Sequence, residues 1–407
     1  MTNRLPLSLY VHIPFCTLKC SYCDFNSYAG IESLTRPFVD ALCDEMRVWS
    51  PLMADRAVET VFFGGGTPSL LPLAEVARIM AAMRVAFELA PEAEVSFEAN
   101  PGTVDRDYLR GLLATGVNRI SFGVQSFHDN ELAALDRIHS AEEAKEACRW
   151  AREAGFGRIN LDLIYGLPEQ LMDRWQSTLE EAIALAPDHL SLYALTVEEG
   201  TKLAHDIERG KVPGPDGDMQ AAMYEWSCER LAATGYRQYE ISNWCRPGEE
   251  CRHNLVYWRN GEWLGLGPGA HSHLRGHEQG VRTQGFRFAD VYSPKQYIER
   301  VNEAGARPAA RPGDLRAILE SMGQVAFVEE QTAEMEMADT AILGLRLNEG
   351  LDVDEFSRRF GRSLEEVYGE VLMETRAFGL IDRENGRVRL TERGRLLANE
   401  VFVRLLA

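Results

Sequence analysis

Three of the eight cysteines in this 407-residue sequence stand as Cys16-Thr17-Leu18-Lys19-Cys20-Ser21-Tyr22-Cys23, a C-x3-C-x2-C spacing directly after the run YVHIPF. Three thiolates on one short loop can reach three corners of a cubane iron–sulfur cluster and leave the fourth iron open to a ligand that a substrate brings. The competing chemistry is a tetrahedral zinc site, which needs a fourth donor. The nearest one is His12, four residues before Cys16. Three unligated thiols on a strand-end loop would be open to oxidation. The other five, Cys43, Cys148, Cys228, Cys245 and Cys251, are scattered and read as small core or surface residues.

Further chemistry falls late in successive β-rich runs: the turn Gly64-Gly65-Gly66-Thr67, then Glu98, Gln125 and Asp162. Glycines let a backbone approach a ligand closely and offer their amides to its polar end. Carboxylates accept from hydroxyls or an ammonium group, and Arg137 can pair a carboxylate. Any one of these residues could be a strand cap or turn former. Four strands in succession ending this way point to a site.

The elements that must position them alternate along the chain. Six β-rich runs, Leu7–Ile13, Val58–Gly64, Glu94–Asn100, Arg119–Gln125, Ile159–Gly166 and His189–Leu195, are separated by amphipathic stretches such as Arg36–Trp49, Leu73–Leu89, Arg106–Ala114 and Ala141–Ala154. This is the pattern of βαβ units on a parallel sheet, and the near-continuous apolar runs VETVFF and INLDLIYG suit strands covered on both faces. A closed barrel, a partial barrel and a doubly wound sheet all satisfy it. In each, ligands bind at the carboxyl ends of the strands.

From about residue 196 the alternation gives way to a Gly- and aromatic-rich region, with Arg307–Pro312 as a bridge to the C-terminal part. There, helical patterns at Glu334–Leu347, Val353–Phe360 and Leu364–Phe378 precede a hairpin turn at Glu384-Asn385-Gly386 and a last helix, an arrangement resembling a winged helix. The expected division is 1–235 for the α/β unit, 236–310 for an extension and 311–407 for the C-terminal domain.

Composition narrows the function class. The sequence holds 62 acidic and 43 basic residues, a formal charge of −19 that repels phosphate backbones and anionic headgroups. Nucleic acid is therefore not an expected partner, and the winged-helix pattern reads as a packing or protein-contact domain. The N-terminus has no secretory pattern and no 18 apolar residues run together, so the expectation is a cytoplasmic protein without a membrane span, with peripheral membrane contact left open.

The cysteine spacing, with an aromatic before the last Cys, resembles the radical S-adenosylmethionine (SAM) superfamily, and Gly64-Gly65-Gly66-Thr67-Pro68 is similar to its SAM-binding glycine motif. The resemblance implies a partial (β/α)6 barrel and a [4Fe–4S] cluster on Cys16, Cys20 and Cys23. The amino and carboxylate groups of SAM chelate its open iron, and reduction cleaves SAM to a 5′-deoxyadenosyl radical. The stretches CDFNSY, FFGGGTPS, FEANP, RISFGVQSF, LDRIH and NLDLIYGLP extend the likeness, over roughly residues 5–270, to the oxygen-independent coproporphyrinogen III oxidase-like family. That family implies SAM contacts from Tyr10, Tyr22, Gly65, Gly66, Thr67, Glu98, Gln125, Arg137 and Asp162.

The family holds a decarboxylating dehydrogenase and a heme-chaperone branch, and three features favour the latter. Phe25 stands where the dehydrogenase has a further Cys, only 15 residues precede Cys16 where the dehydrogenase has a substantial segment, and His253-Asn254-Leu255-Val256-Tyr257-Trp258 matches the HNxxYW signature of the chaperone branch. This likeness implies heme as cargo and heme-requiring respiratory proteins as clients. Since His can ligate heme iron and Tyr and Trp offer flat faces to a porphyrin, His253 is the expected axial ligand, with Cys251, His271 and His273 as alternatives. Coproporphyrinogen III dehydrogenation is the alternative function. A radical SAM methyltransferase or a porphyrin-ring-opening enzyme on the same scaffold is a third reading.

Overall fold

A computed structural model describes residues 5–278, 281–304 and 315–406. The expected bridge at Arg307–Pro312 lies outside the described residues. Six strands, β1 (Leu5–Ile13), β2 (Arg56–Gly65), β3 (Glu88–Ala99), β4 (Arg119–Gln125), β5 (Arg158–Tyr165) and β6 (His189–Ala194), pair in sequence order and in parallel. Helices Thr35–Trp49, Leu73–Ala86, Arg106–Ala114, Ala141–Ala154 and Met172–Ala184 connect them.

The sheet does not close. The free edge of β6 is taken by an antiparallel pair, β7 (Arg237–Glu240) and β8 (Asn243–Cys245). The free edge of β1 is taken by the parallel strand β9 (Trp263–Leu266), which continues into antiparallel β10 (His271–Glu278), β11 (Val281–Asp290) and β12 (Val325–Gln331). The order is β12-β11-β10-β9-β1-β2-β3-β4-β5-β6-β8-β7. The parallel unit is thus a partial barrel within one twelve-stranded sheet, as the alternating pattern allowed.

Strand alternation explains how one sequence serves two environments. Along β1, Leu7, Leu9, Val11 and Ile13 form one buried face, while Ser8 and His12 on the other are also buried. On the barrel's inner side the strands contribute small polar groups, Ser8, Thr60, Ser96, Ser121, Asn160 and Ser191, all buried. The near-continuous apolar runs of the sequence are therefore two-sided strands whose inner face is polar. Each fully buried aliphatic side chain on the helix-covered face contributes roughly 1.5–3 kcal/mol.

Local signals set the helix ends. Ser140 and Glu143 form a reciprocal capping box at the start of Ala141–Ala154, and Gly155 ends that helix in the left-handed region. The helix expected over Leu73–Leu89 stops at Ala86 instead, because Phe87 turns inward into the core and Glu88 and Leu89 pair with Ala57 and Val58 of β2. Tertiary pairing here overrides helical periodicity.

The C-terminal part has helices Ala333–Arg346, Val353–Phe360 and Leu364–Ala377 and a three-stranded sheet whose hairpin turns at Asn385 and Gly386, with φ of 52° and 75°. This is the type I′ geometry that Asn-Gly favours. A buried ionic knot fastens it to the main sheet: Glu336 accepts from Arg275 at 2.6 Å, from Arg359 at 2.9 Å and from His273 at 3.0 Å. Against the cost of burial, these donors hold the Glu336 carboxyl well below its ordinary range.

Candidate cofactor site at the strand ends

The cysteine loop is closed at its base by main-chain pairing. Phe15 and Cys16 lie parallel to Tyr28 and Ala29, and the Cys23 amide donates to the Cys20 carbonyl at 3.2 Å. The Gly-rich turn after β2 is stitched to the same loop, since the Gly66 amide donates to Ile13 and the Thr67 amide to Phe15, both at 2.7 Å. This contact revises the reason for the glycines. A Cβ on Gly66 would stand 2.6 Å from the Phe15 carbonyl oxygen, and one on Gly65, whose φ is +109°, would stand 2.5 Å from the His12 ring. The space a side chain would need is filled by the protein itself, so glycine is required before any ligand is considered.

His12 explains itself in the same contact. Its Nε2 donates to the Asn26 carbonyl at 2.8 Å, so its Nδ1 is the acceptor for the Tyr10 hydroxyl at 3.0 Å. Burial lowers its pKa and keeps the ring neutral. With both nitrogens engaged, His12 braces the cysteine loop and is not placed as a fourth zinc ligand.

The residues at the strand ends converge on one cavity of about 480 Å³. Its lining includes Cys16, Cys20, Cys23, Tyr22, Gly65, Gly66, Thr67, Glu98, Gln125, Arg137 and Asp162, so of the residues expected to hold cluster and SAM all but Tyr10 face it. Tyr10 lies just beneath, since a Cβ on Gly64 would be 3.2 Å from both the Tyr10 ring and Glu98 Oε2. The Cys16 sulfur lies 3.5 Å from the Thr67 hydroxyl. Arg137 donates to the Cys20 sulfur at 3.5 Å and to the Gly123 carbonyl at 2.6 Å. Among the described residues its buried Nε has no hydrogen-bond partner, which leaves one donor for an anionic group.

The residues present fit the cluster and SAM on three counts. Cys16, Cys20 and Cys23 line one cavity, so three thiols are available there to bind three irons of a cluster. Glu98 and Asp162 face the same cavity, and burial, then the Asp162 charge, push the Glu98 carboxyl up to about 8. A cationic ligand with an ammonium or sulfonium group would relieve that repulsion. Gln125 takes a φ of +69°, unusual for a residue with a side chain, and such strain collects where a site needs a particular orientation.

Asp162 is held from behind by Ser121 Oγ at 2.7 Å and Asn160 Nδ2 at 2.9 Å. Sequence reasoning missed this layer, and also Asn100, Tyr193 and Thr196 in the cavity wall; Phe25, which it singled out, lines the same wall. The signal was available in part: Ser121 and Asn160 lie two residues before Gly123 and Asp162, on the same strand faces.

The HNLVYW segment is a short helix, Arg252–Trp258, inserted into the partial barrel below this cavity, toward the amino ends of the strands. Glu94 caps it, accepting from the Arg252 and His253 amides at 3.2 and 3.1 Å. His253 is 0% exposed; its Nδ1 is 2.8 Å from the Thr60 hydroxyl, its Nε2 is 2.9 Å from the Tyr257 hydroxyl, and its ring stacks on Phe62. Burial, then the Arg119 charge, lower its pKa to about 3. Both ring nitrogens are committed within the core, so in this structure His253 is not presented to a ligand. His273 is likewise buried, between Glu336 and the Gly261 carbonyl, and Cys251 is buried against Glu94. Only His271 of the four expected candidates is exposed.

Comparison with known proteins decides the family. A radical SAM superfamily model matches residues 10–182, and a HemN C-terminal domain model matches residues 331–397. A heme chaperone HemW from Mycobacterium tuberculosis is 40% identical over 98% of this chain and 95% of its own length; one from Bacillus subtilis is 34% identical over 97% and 98%. The chain belongs to the heme chaperone HemW family. The HemW-family fold also overlays a solved coproporphyrinogen III oxidase (HemN) from Escherichia coli, described as a radical SAM enzyme, with TM-score 0.81 and 27% identity, covering 99% of this chain and 90% of that one. The partial barrel and the C-terminal helical region thus follow the fold of that solved structure. No helix among the described residues is long and apolar enough to cross a membrane.

Proposed function

We propose that this protein is a heme chaperone on a radical SAM scaffold, which binds a [4Fe–4S] cluster, SAM and heme and hands heme to respiratory apoproteins in the cytoplasm. The observation that carries the reading is the 40% identity to a heme chaperone over 98% of the chain, against 27% to the solved oxidase. Phe25 supports it. This residue is 63% exposed in the cavity wall, and its phenyl ring cannot supply the thiol expected there in the dehydrogenase.

In this reading the cluster, when bound and reduced, supplies one electron to SAM. The chain's own residues do the rest. Cys16, Cys20 and Cys23 would hold the cluster, and Arg137, which donates to the Cys20 sulfur, would stabilise negative charge on it. Glu98 and Asp162 receive the cationic end of SAM, with Asp162 fixed by Ser121 and Asn160. Tyr10, His12 and Asn26 form a hydrogen-bonded brace that holds the cysteine loop against the glycine turn.

The test is to incubate the anaerobically reconstituted protein with SAM, reductant and coproporphyrinogen III, and in parallel with heme. The expected result is stoichiometric heme uptake and no accumulation of protoporphyrinogen. Protoporphyrinogen formed over many turnovers per protein would replace the chaperone reading with the dehydrogenase.

A further inference from the structure

A heme iron needs a ligand that the fold presents to it, and the porphyrin needs flat apolar surface beside that ligand. The helix that carries the family signature provides neither, since His253 is enclosed in the barrel with both nitrogens bonded. His271 is placed differently. It opens β10 at the end of the turn Gly267-Pro268-Gly269-Ala270, and its ring is exposed between two aromatic side chains. Tyr292 is 55% exposed with its ring centroid 6.4 Å from the imidazole, and Phe327 is 44% exposed with its centroid 6.2 Å away. The two rings leave flat apolar surface open on either side of the imidazole.

We propose that His271 is the axial ligand of the bound heme, and that the porphyrin lies on the open faces of Tyr292 and Phe327 at this end of the sheet. The proposal rests on the heme-binding reading above and adds the site. The His271 Nε2 lies 3.4 Å from the Tyr292 hydroxyl, a long contact that a metal displaces at little cost. Burial on its inner side, then the Arg287 charge, lower the pKa of His271, which favours the neutral imidazole that binds iron. Arg287 lies over the Trp263 ring and is paired with Asp339 at 2.7 Å.

The patch also adjoins the cysteine loop from outside. Asn26 Nδ2 donates to the Tyr292 and Pro268 carbonyls, both at 2.9 Å, and the Asn26 carbonyl accepts from His12, which Tyr10 bonds in turn. Asn26 thus ties the backbone that carries Tyr292 to the loop that carries Cys16, Cys20 and Cys23.

The experiment is a hemin titration of the full-length, cluster-loaded protein, followed at the Soret band, for wild type, His271→Gly, Tyr292→Ala and His205→Ala, the last an exposed histidine on a separate helix. We expect His271→Gly to weaken binding at least tenfold and to shift the Soret maximum, with added imidazole restoring the wild-type spectrum. Tyr292→Ala should weaken binding without moving the spectrum, and His205→Ala should behave as wild type. Iron–sulfur absorbance and circular dichroism check that each variant is folded. Wild type binding heme while His271→Gly keeps the same affinity and spectrum would overturn the ligand assignment and leave the heme-binding reading standing. Failure of the wild type itself to bind hemin would overturn both.

Discussion

Replacing Glu98 by Gln should strengthen the ligand-free fold while weakening SAM binding, because the carboxylate is held ready for a charge that the empty protein does not supply. Its carboxyl is raised from 4.5 to about 8, by burial first and by Asp162 second. The folded chain therefore keeps a proton that the unfolded chain releases between those values, and stability falls as pH rises through that window. At pH 7 the raised carboxyl costs on the order of 3 kcal/mol, and about half of that once its access to cavity water is allowed for. The glutamine amide keeps the shape, and its carbonyl oxygen can still accept from the Gly65 amide, so Glu98→Gln recovers most of that, worth roughly 2 °C for a protein of this size. Thermal melts of cluster-free protein at about pH 5 and pH 8 should show the two proteins equal at the acidic end and Glu98→Gln more stable at the basic end. In the loaded protein the sign reverses: loss of a charge-assisted contact of about 1.5–3 kcal/mol weakens SAM binding tenfold or more at pH 8, and the rise of wild-type affinity with pH is blunted. Equal melts at both pH values, or unchanged SAM affinity with an unchanged pH slope, would refute the reasoning.

Two further outcomes follow from the same geometry. Changing Cys16, Cys20 and Cys23 together to Ala should reduce reconstituted iron from about four per chain to background, whereas changing Cys43, Cys148 and Cys228 should not, since only the first three share the cavity; iron and sulfide analysis decides it. His253→Ala strands the Thr60 and Tyr257 hydroxyls in the core and opens a cavity, so it should cost about 2–4 kcal/mol of stability while folded protein keeps the wild-type heme spectrum; a lost Soret band with an unchanged melting temperature would return His253 to the role of ligand.

Much of the site was legible in the sequence alone. Three thiols within eight residues share a loop in whatever fold forms, and polar residues late in successive parallel strands gather at one end because parallel strands all point the same way. The alternation of strands and amphipathic helices carried the α/β class, and Asn385-Gly386 marked the C-terminal hairpin because few other pairs tolerate two positive φ values in succession. What lies outside the reach of the sequence is which side chains are enclosed. HNLVYW reads equally well as a ligand-binding aromatic cluster or as a core plug. The fold makes it a plug, because the open barrel needs a filler at its amino end and Glu94, 159 residues away from His253, caps the inserted helix. Likewise the glycines of the turn after β2 suggest a close ligand, yet it is the His12 ring and the Phe15 carbonyl that occupy the space. Spacing along the chain determines which groups are near each other locally; the exposure of an imidazole, the pKa of a carboxyl and the partner of a hydroxyl are set by segments that meet only when the sheet is assembled.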